Sequence, residues 1–348
     1  MSMGRGSLDL WPKYFQKTRR NKRIVFSLNL LMTLGKAGSR ASRNGSTFPV
    51  SVSSNSDYVH DASHNAYGSR LAMCTSAQRL LVWDRGQNEE WSLSATISFA
   101  HNGPIWRLDW AHPEFGQILA SGSEDRAIAI WSERPAGASE PEGGWRKRAT
   151  LTDSPHAVTD VQFAPRQFGL KLAACCSDGA VRVYHAPDPL NLAYWEVEDF
   201  TTDRAGCTAL SWCGAEDRER LAVVCQSGLV KVFERQARWA MACERQVIQG
   251  PLKDCAWAPN LCRDVEWLAS CGDSSSVEVC AYISGSSPRL ERVHSIDAGV
   301  WPVWRVAWNL TGTLLSVAPE SGQVQLWRLA GPSATDWEKV DETEDAFE

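Results

Sequence analysis

Six segments of the chain end in the same way, with a turn signal, a short apolar run and a closing apolar residue. The closing residues are Trp83, Trp131, Tyr184, Phe233, Cys280 and Trp327. Consecutive endpoints lie 48, 53, 49, 47 and 47 residues apart. A near-constant period of this size is typical of a repeat of four short strands, and such repeats arranged radially form a β-propeller. We therefore predict an all-β, six-bladed propeller.

The second repeat carries four polar or indole side chains at informative positions, His101, Ser121, Asp125 and Trp131. They stand where a WD repeat, which this segment resembles, carries a hydrogen-bonded His–Ser/Thr–Asp–Trp relay. Such a relay satisfies a buried imidazole, hydroxyl and indole N–H together. We interpret these residues as structural rather than catalytic, because buried polar networks commonly specify a fold. The other repeats retain the relay only in part.

The charge of the chain is unevenly distributed. The net charge is −5, yet residues 1–50 contain ten Lys or Arg and a single acid, Asp9. The remaining residues are therefore strongly acidic, which argues against direct nucleic-acid binding. The 11 cysteines form no C-x-x-C pair and are odd in number, a pattern typical of free thiols in a reducing compartment.

Three regions follow from the repeat pattern and the composition. We expect a basic, disordered extension over residues 1–53, the propeller over residues 54–331, and an acidic, disordered tail over residues 332–348. Residues 24–34 form a mostly apolar run after a basic stretch, which also resembles a signal-peptide core or a transit peptide. No segment is apolar over the length of a membrane span.

No catalytic, cofactor-binding or metal-binding residues are predicted. The chain contains no Walker loop, no H-E-x-x-H and no dinucleotide fingerprint after a strand. The adjacent Asp, Ser and His of residues 153–156 cannot easily adopt the geometry of a catalytic triad. We expect a non-enzymatic protein without a cofactor.

Five stretches, in order, resemble the Seh-type WD-repeat nucleoporins. They are WAHPEFGQILASGSEDR (110–126), GGWRKRATL (143–151), HAPDPLNLAYW (185–195), GPLKDCAWAPNLCR (250–263) and VWRVAWNLTGTLLS (303–316). The first also resembles the related outer-coat propeller of COPII vesicles. The resemblance covers residues 54–330, and the basic N-terminal extension departs from it.

The resemblance implies an open propeller that an α-solenoid nucleoporin completes by inserting a blade of its own. It implies a scaffold role in the Y-shaped subcomplex of the nuclear pore, supporting transport of mRNA and protein. The family also serves in a membrane-associated complex that regulates TOR signalling at the vacuole or lysosome. Two alternatives stay open: a COPII-like coat subunit at the endoplasmic reticulum, and a propeller that binds ligands in its channel.

We expect the partner to dock where the two end repeats offer unpaired strand edges. The candidate contact residues are Leu81 and Val82 in the first repeat and Val303, Val324 and Leu326 in the last.

Overall fold

The chain folds into six four-stranded antiparallel sheets. The computed structural model describes residues 57–88, 90–133, 144–215, 218–259, 265–329 and 337–340. Within these ranges the sheets account for all strands, and two single-turn 3₁₀ helices, Pro113–Phe115 and Arg166–Phe168, follow the first strands of the second and third sheets. The predicted all-β, six-bladed propeller is confirmed.

Each blade consists of four consecutive strands. Blades 1 to 3 are β1–β4 (Val59–His64, Arg70–Thr75, Leu80–Arg85, Trp91–Ile97), β5–β8 (Ile105–Trp110, Ile118–Ser123, Ile128–Glu133, Trp145–Leu151) and β9–β12 (Val158–Phe163, Lys171–Cys176, Ala180–His185, Glu196–Thr201). Blades 4 to 6 are β13–β16 (Cys207–Trp212, Arg220–Cys225, Leu229–Arg235, Trp239–Gln246), β17–β20 (Leu252–Trp257, Glu266–Gly272, Ser276–Ile283, Arg289–Asp297) and β21–β24 (Val303–Trp308, Leu314–Pro319, Gln325–Leu329, Trp337–Val340). The first strand of each blade lies at the centre and the fourth at the exposed rim.

The blades are apolar on both faces. In blade 2, Leu119 and Trp131 pack toward blade 1, whereas Ile118 and Ile130 pack toward blade 3. Adjacent residues of a strand point to opposite faces, so a strand buried on both sides must be apolar nearly throughout. This explains why β6 is buried along its whole length. Five such apolar clusters join the six blades in sequence.

Neighbouring blades touch through side-chain faces, because the ladders pair strands only within a blade. The inner edge of β1 therefore resembles the inner edge of every other blade. What distinguishes blades 1 and 6 is a sheet face that lacks a neighbouring blade. Docking at unpaired strand edges stays a prediction, and these two faces are the surface that sets the end blades apart from the others.

The four residues of the second repeat form one hydrogen-bonded chain. His101 Nδ1 lies 3.1 Å from Asp125 Oδ2, and His101 Nε2 lies 2.8 Å from Ser121 Oγ. The Trp131 indole N–H donates to the same Ser121 oxygen at 3.0 Å. Burial opposes ionisation of Asp125, but hydrogen bonds from His101 and the Asn102 backbone outweigh it and lower the pKa of Asp125 to about 2. This series of hydrogen bonds links the turn before β7 to the middle of the blade.

The C-terminal boundary at residue 331 is wrong, because blade 6 continues beyond it. Strand β24 pairs with β23 along its whole length. Trp337 packs its ring 5.7 Å from that of Trp308 and 6.0 Å from that of Trp267. One large aromatic side chain thus holds the strand despite its acidic surroundings. Residues 1–56 and 341–348, on which the other terminal predictions fall, lie outside the described residues.

We predict that Ser121→Ala destabilises the propeller by about 1–3 kcal/mol, because it leaves the buried Trp131 indole N–H and His101 Nε2 without their partner. Chemical denaturation measures the loss. Trp131→Phe removes one of those two groups, so the double variant should lose less than the sum of the single losses. Additive losses would contradict a shared hydrogen-bond chain.

Candidate interaction site

Blades 1 and 6 do not pack together as the other neighbours do. The first strands of consecutive blades lie side by side from β1 and β5 through β17 and β21, and second strands pack on the next first strand in the same way. Between blade 6 and blade 1 both contacts are far less extensive. We call the space between these two blades the wedge. Its faces carry Leu71, Met73, Leu81 and Trp83 of blade 1, and Leu314, Ser316, Ala318 and Leu326 of blade 6.

The blade 1 face of the wedge is an apolar cluster of its own. Leu71, Met73 and Trp83 are buried in it, and Leu81 and Trp91 pack at its margin. Every described apolar residue of this cluster belongs to blade 1. The Trp83 indole N–H has no hydrogen-bond acceptor among the described residues, because Met73 stands where Ser121 accepts from Trp131 in blade 2.

The blade 6 face is smaller in side-chain volume. Leu315 and Val317 of β22 pack against blade 5. The residues that alternate with them, Leu314, Ser316 and Ala318, therefore point toward the wedge. Of these, Ser316 and Ala318 are buried, whereas Leu314 is half-buried. The face therefore offers a shallow surface onto which another element can pack.

The five predicted contact residues divide between the wedge and the neighbouring blades. Leu81 and Leu326 lie on the wedge faces. Val324 is half-buried and precedes β23. Val82 packs into the cluster shared with blade 2, and Val303 into the cluster shared with blade 5.

A ring of charged side chains occupies the centre of the propeller. The third residue of each first strand is Asp61, Arg107, Asp160, Ala209, Asp254 or Arg305, in blade order. Each of the three aspartates accepts a backbone N–H of the next blade: Asp61 from Leu108 at 3.1 Å, Asp160 from Leu210 at 2.9 Å, and Asp254 from Val306 at 3.1 Å. These bonds fix the angle between successive blades near the axis.

The two arginines form ion pairs between blades that these aspartate–backbone hydrogen bonds do not link. Arg107 lies 3.5 Å from Asp160 in the next blade and 4.0 Å from Asp254 on the opposite side of the ring. Arg305 Nη2 lies 2.9 Å from Asp61 Oδ1, across the inner end of the wedge. The propeller is therefore linked at its centre by these ion pairs.

The ring has one carboxylate more than it has guanidinium groups. Burial raises the pKa of Asp160 to about 6 and that of Asp254 to about 7, while Arg107 acts in the opposite direction. Burial also raises the pKa of Asp61, again against the effect of Arg107. Burial is the largest cause of all three shifts, and the repulsion of Asp254 by Asp160 and Asp61 adds to it.

Sequence reasoning missed this ring. A signal was present, because the first strands begin with similar hexapeptides such as IWRLDW (105–110), VTDVQF (158–163) and LKDCAW (252–257). Aligning them places Arg, Asp and Asp at the same third position. Only the radial arrangement shows that these positions converge.

Two searches of the described residues bear on metal sites and membrane spans. In the described ranges, no group of His, Cys, Asp and Glu side chains could hold a metal ion. Those ranges also contain no helix long and apolar enough to cross a membrane. The described cysteines are free, and all but Cys243 are buried.

Comparison with known proteins agrees with this architecture. Residues 91–132 match the WD domain, G-beta repeat, which here spans the outer strand of blade 1 and three strands of blade 2. Nucleoporin SEH1 of Osmerus mordax is 36% identical over 296 residues, covering 78% of this chain and 80% of its own length. Nucleoporin SEH1 of Xenopus tropicalis is 36% identical and that of Homo sapiens 35%, each covered over 82% of its length. The chain belongs to the SEH1 family of nucleoporins.

Membership of the SEH1 family confirms the Seh-type resemblance found in the sequence. The relatives align over 78% of this chain.

We predict that this SEH1-family propeller loses stability as the pH rises from 5 to 8. Aspartates of the unfolded chain ionise near pH 4, whereas those of the ring hold protons to about pH 6–7. Between these values the folded chain binds more protons, so the free energy of unfolding falls with rising pH, by at most about 1.4 kcal/mol per pH unit for one linked proton. Thermal melting at pH 5.5 and 8.0 measures the effect.

Asp254→Asn should weaken this pH dependence, because it replaces a carboxyl that is protonated over part of the range by a neutral isostere. Asp199→Asn, on the exposed strand β12, is the matched control and should leave the dependence as in the parent. An equal slope in the parent and in Asp254→Asn would show that the ring does not carry the linked proton.

Proposed function

We propose that this chain is a non-enzymatic scaffold subunit of the nuclear pore complex, within its Y-shaped subcomplex. An α-solenoid nucleoporin would complete the propeller by inserting a blade into the wedge. In that position the chain would support transport of mRNA and protein through the pore. The observation that carries the proposal is the wedge, two blade faces without a neighbouring blade in a SEH1-family chain.

The arrangement of strands supports an inserted blade. Closed propellers commonly secure the ring by building one blade from both ends of the chain. Here blades 1 and 6 are each built from four consecutive strands, so no shared sheet joins them. At the inner end, Arg305 forms an ion pair with Asp61, which a partner strand could replace.

The choice among the nuclear pore, the TOR-regulating complex and the vesicle coat rests on the relatives. Those compared above are nucleoporins, which favours the pore over a vesicle coat. Participation in the TOR-regulating membrane complex would use the same wedge with another solenoid. Purification of the tagged chain from its own cells identifies the bound partner and so distinguishes the nuclear pore from the TOR-regulating complex. The charged groups at the centre pair with one another, which argues against a ligand-binding propeller.

We predict that Leu81→Lys abolishes binding of the solenoid partner. Leu81 lies at the margin of the blade 1 cluster, so a lysine there would put an unpaired charge against an inserted blade. Co-purification of the reconstituted pair measures binding, and circular dichroism confirms that the variant is folded.

Met241→Lys is the matched control, since Met241 is 53% exposed on the rim of blade 4. It adds the same charge away from the wedge and should bind as the parent does. If a folded Leu81→Lys chain binds normally, the partner does not enter the wedge. Recovery of coat subunits instead of nucleoporins would favour the coat function.

A further inference from the structure

We propose that a pocket on one face of the propeller, separate from the wedge, binds an acidic peptide segment through one aromatic side chain. The pocket has a volume of about 300 Å³ and lies where the first strands of blades 1 to 4 end. Its lining shares no residue with the wedge faces defined above. The proposal therefore concerns a second partner surface and does not depend on the nuclear pore function.

The pocket follows from a change in the repeat at one position. The last residue of the first strand is Trp in blades 2, 4, 5 and 6, whereas it is Phe163 in blade 3. The Trp110 indole N–H donates to the Ser63 carbonyl of blade 1 at 2.9 Å, and that of Trp212 donates to the Gln162 carbonyl of blade 3 at 3.0 Å. A phenyl ring is smaller than an indole and has no N–H, so Phe163 leaves the corresponding space beside blade 2 open.

The apolar walls of the pocket are preformed. They include Trp110, Phe163 and Trp212, which are largely buried and therefore held in place by their own packing. Ala111 and Ala164 also line the pocket, and their small side chains leave the space open. Aromatic rings attract one another in edge-to-face and offset arrangements, so walls of this kind favour an aromatic ligand. A volume of about 300 Å³ is at the lower limit of ligand pockets and suits a single side chain.

Three polar side chains of the lining supply hydrogen-bond donors. Gln162 uses its Oε1 to accept the Trp212 backbone N–H at 2.9 Å, which leaves its amide NH₂ to donate. His112 accepts the Glu114 backbone N–H through Nδ1, so its Nε2 carries a hydrogen. Arg166 is exposed, and no carboxylate of the described residues pairs with it. The described lining includes no carboxylate, so the pocket favours a ligand that carries carboxylate groups.

The positions of the donors favour a chain that passes across the pocket. His112 caps the 3₁₀ helix of blade 2, whereas Arg166 begins the 3₁₀ helix of blade 3. The donors therefore come from two different blades on either side of the aromatic walls. A peptide with acidic residues on both sides of an aromatic residue matches this placement better than a chain end, which has one carboxylate beside its last side chain.

Calorimetric titration of the full chain with short peptides tests the proposal. The probe is the acetylated and amidated peptide Glu-Asp-Phe-Asp-Glu, which should bind to the parent chain. Its analogue with Ala in place of Phe should bind at least about 10-fold more weakly, because it buries no ring. The neutral analogue Gln-Asn-Phe-Asn-Gln should bind about 3-fold more weakly, because amides do not form an ion pair with Arg166.

Two variants of the chain place the probe in the pocket. Phe163→Trp should abolish binding, because an indole there would extend toward blade 2 as Trp110 and Trp212 extend toward their preceding blades. Arg166→Gln should weaken binding about 3-fold. Arg148→Gln is the matched control, since it removes one exposed charge from the rim strand β8 and should bind as the parent does. Thermal melting checks that each variant is folded.

Equal binding of the Phe and Ala peptides would overturn the proposal, and this comparison does not depend on the folding of any variant. The absence of binding at millimolar peptide would overturn it as well, as would normal binding by a folded Phe163→Trp chain. N-acetylphenylalanine carries its ring and its carboxylate on one residue. If it binds as tightly as the acidic peptide, the pocket takes a chain end or a small aromatic acid, and an acidic segment is the wrong ligand.

Discussion

Every blade of this propeller has two apolar faces and therefore needs two neighbours. The middle strands show this directly, since β6, β10 and β14 are buried from end to end. A closed ring meets the requirement for all blades at once. Six blades that are not closed leave one face on each end blade, at a cost of about 25 cal/mol for each Å² of apolar surface left in water. The function proposed for the chain follows from this one deficit.

The charged ring limits where the propeller can open. Arg305 and Asp61 keep the inner ends of blades 6 and 1 together, while the outer strands of those blades have no comparable link among the described residues. An inserted element would then enter from the rim and meet the ion pair last. Because Asp61 also accepts the Leu108 N–H, losing Arg305 would not leave its carboxylate without a partner. The contact is therefore suited to being exchanged rather than being a permanent closure.

Much of the architecture could be predicted from the sequence, because each repeat contains its own local signal of a turn, an apolar run and a closing apolar residue. The closing residues of the six segments all fall on the third strand of a blade, as Trp83 and Trp131 illustrate. The direction in which a side chain points was harder to predict. Leu81 and Val82 are adjacent in one strand and cannot both face the wedge, but alternation alone does not say which of them does. The ring was missed because Arg107 and Asp254 lie far apart in sequence and meet only through the radial symmetry. Strand β24 was missed because an acidic composition concealed a single anchoring residue, Trp337.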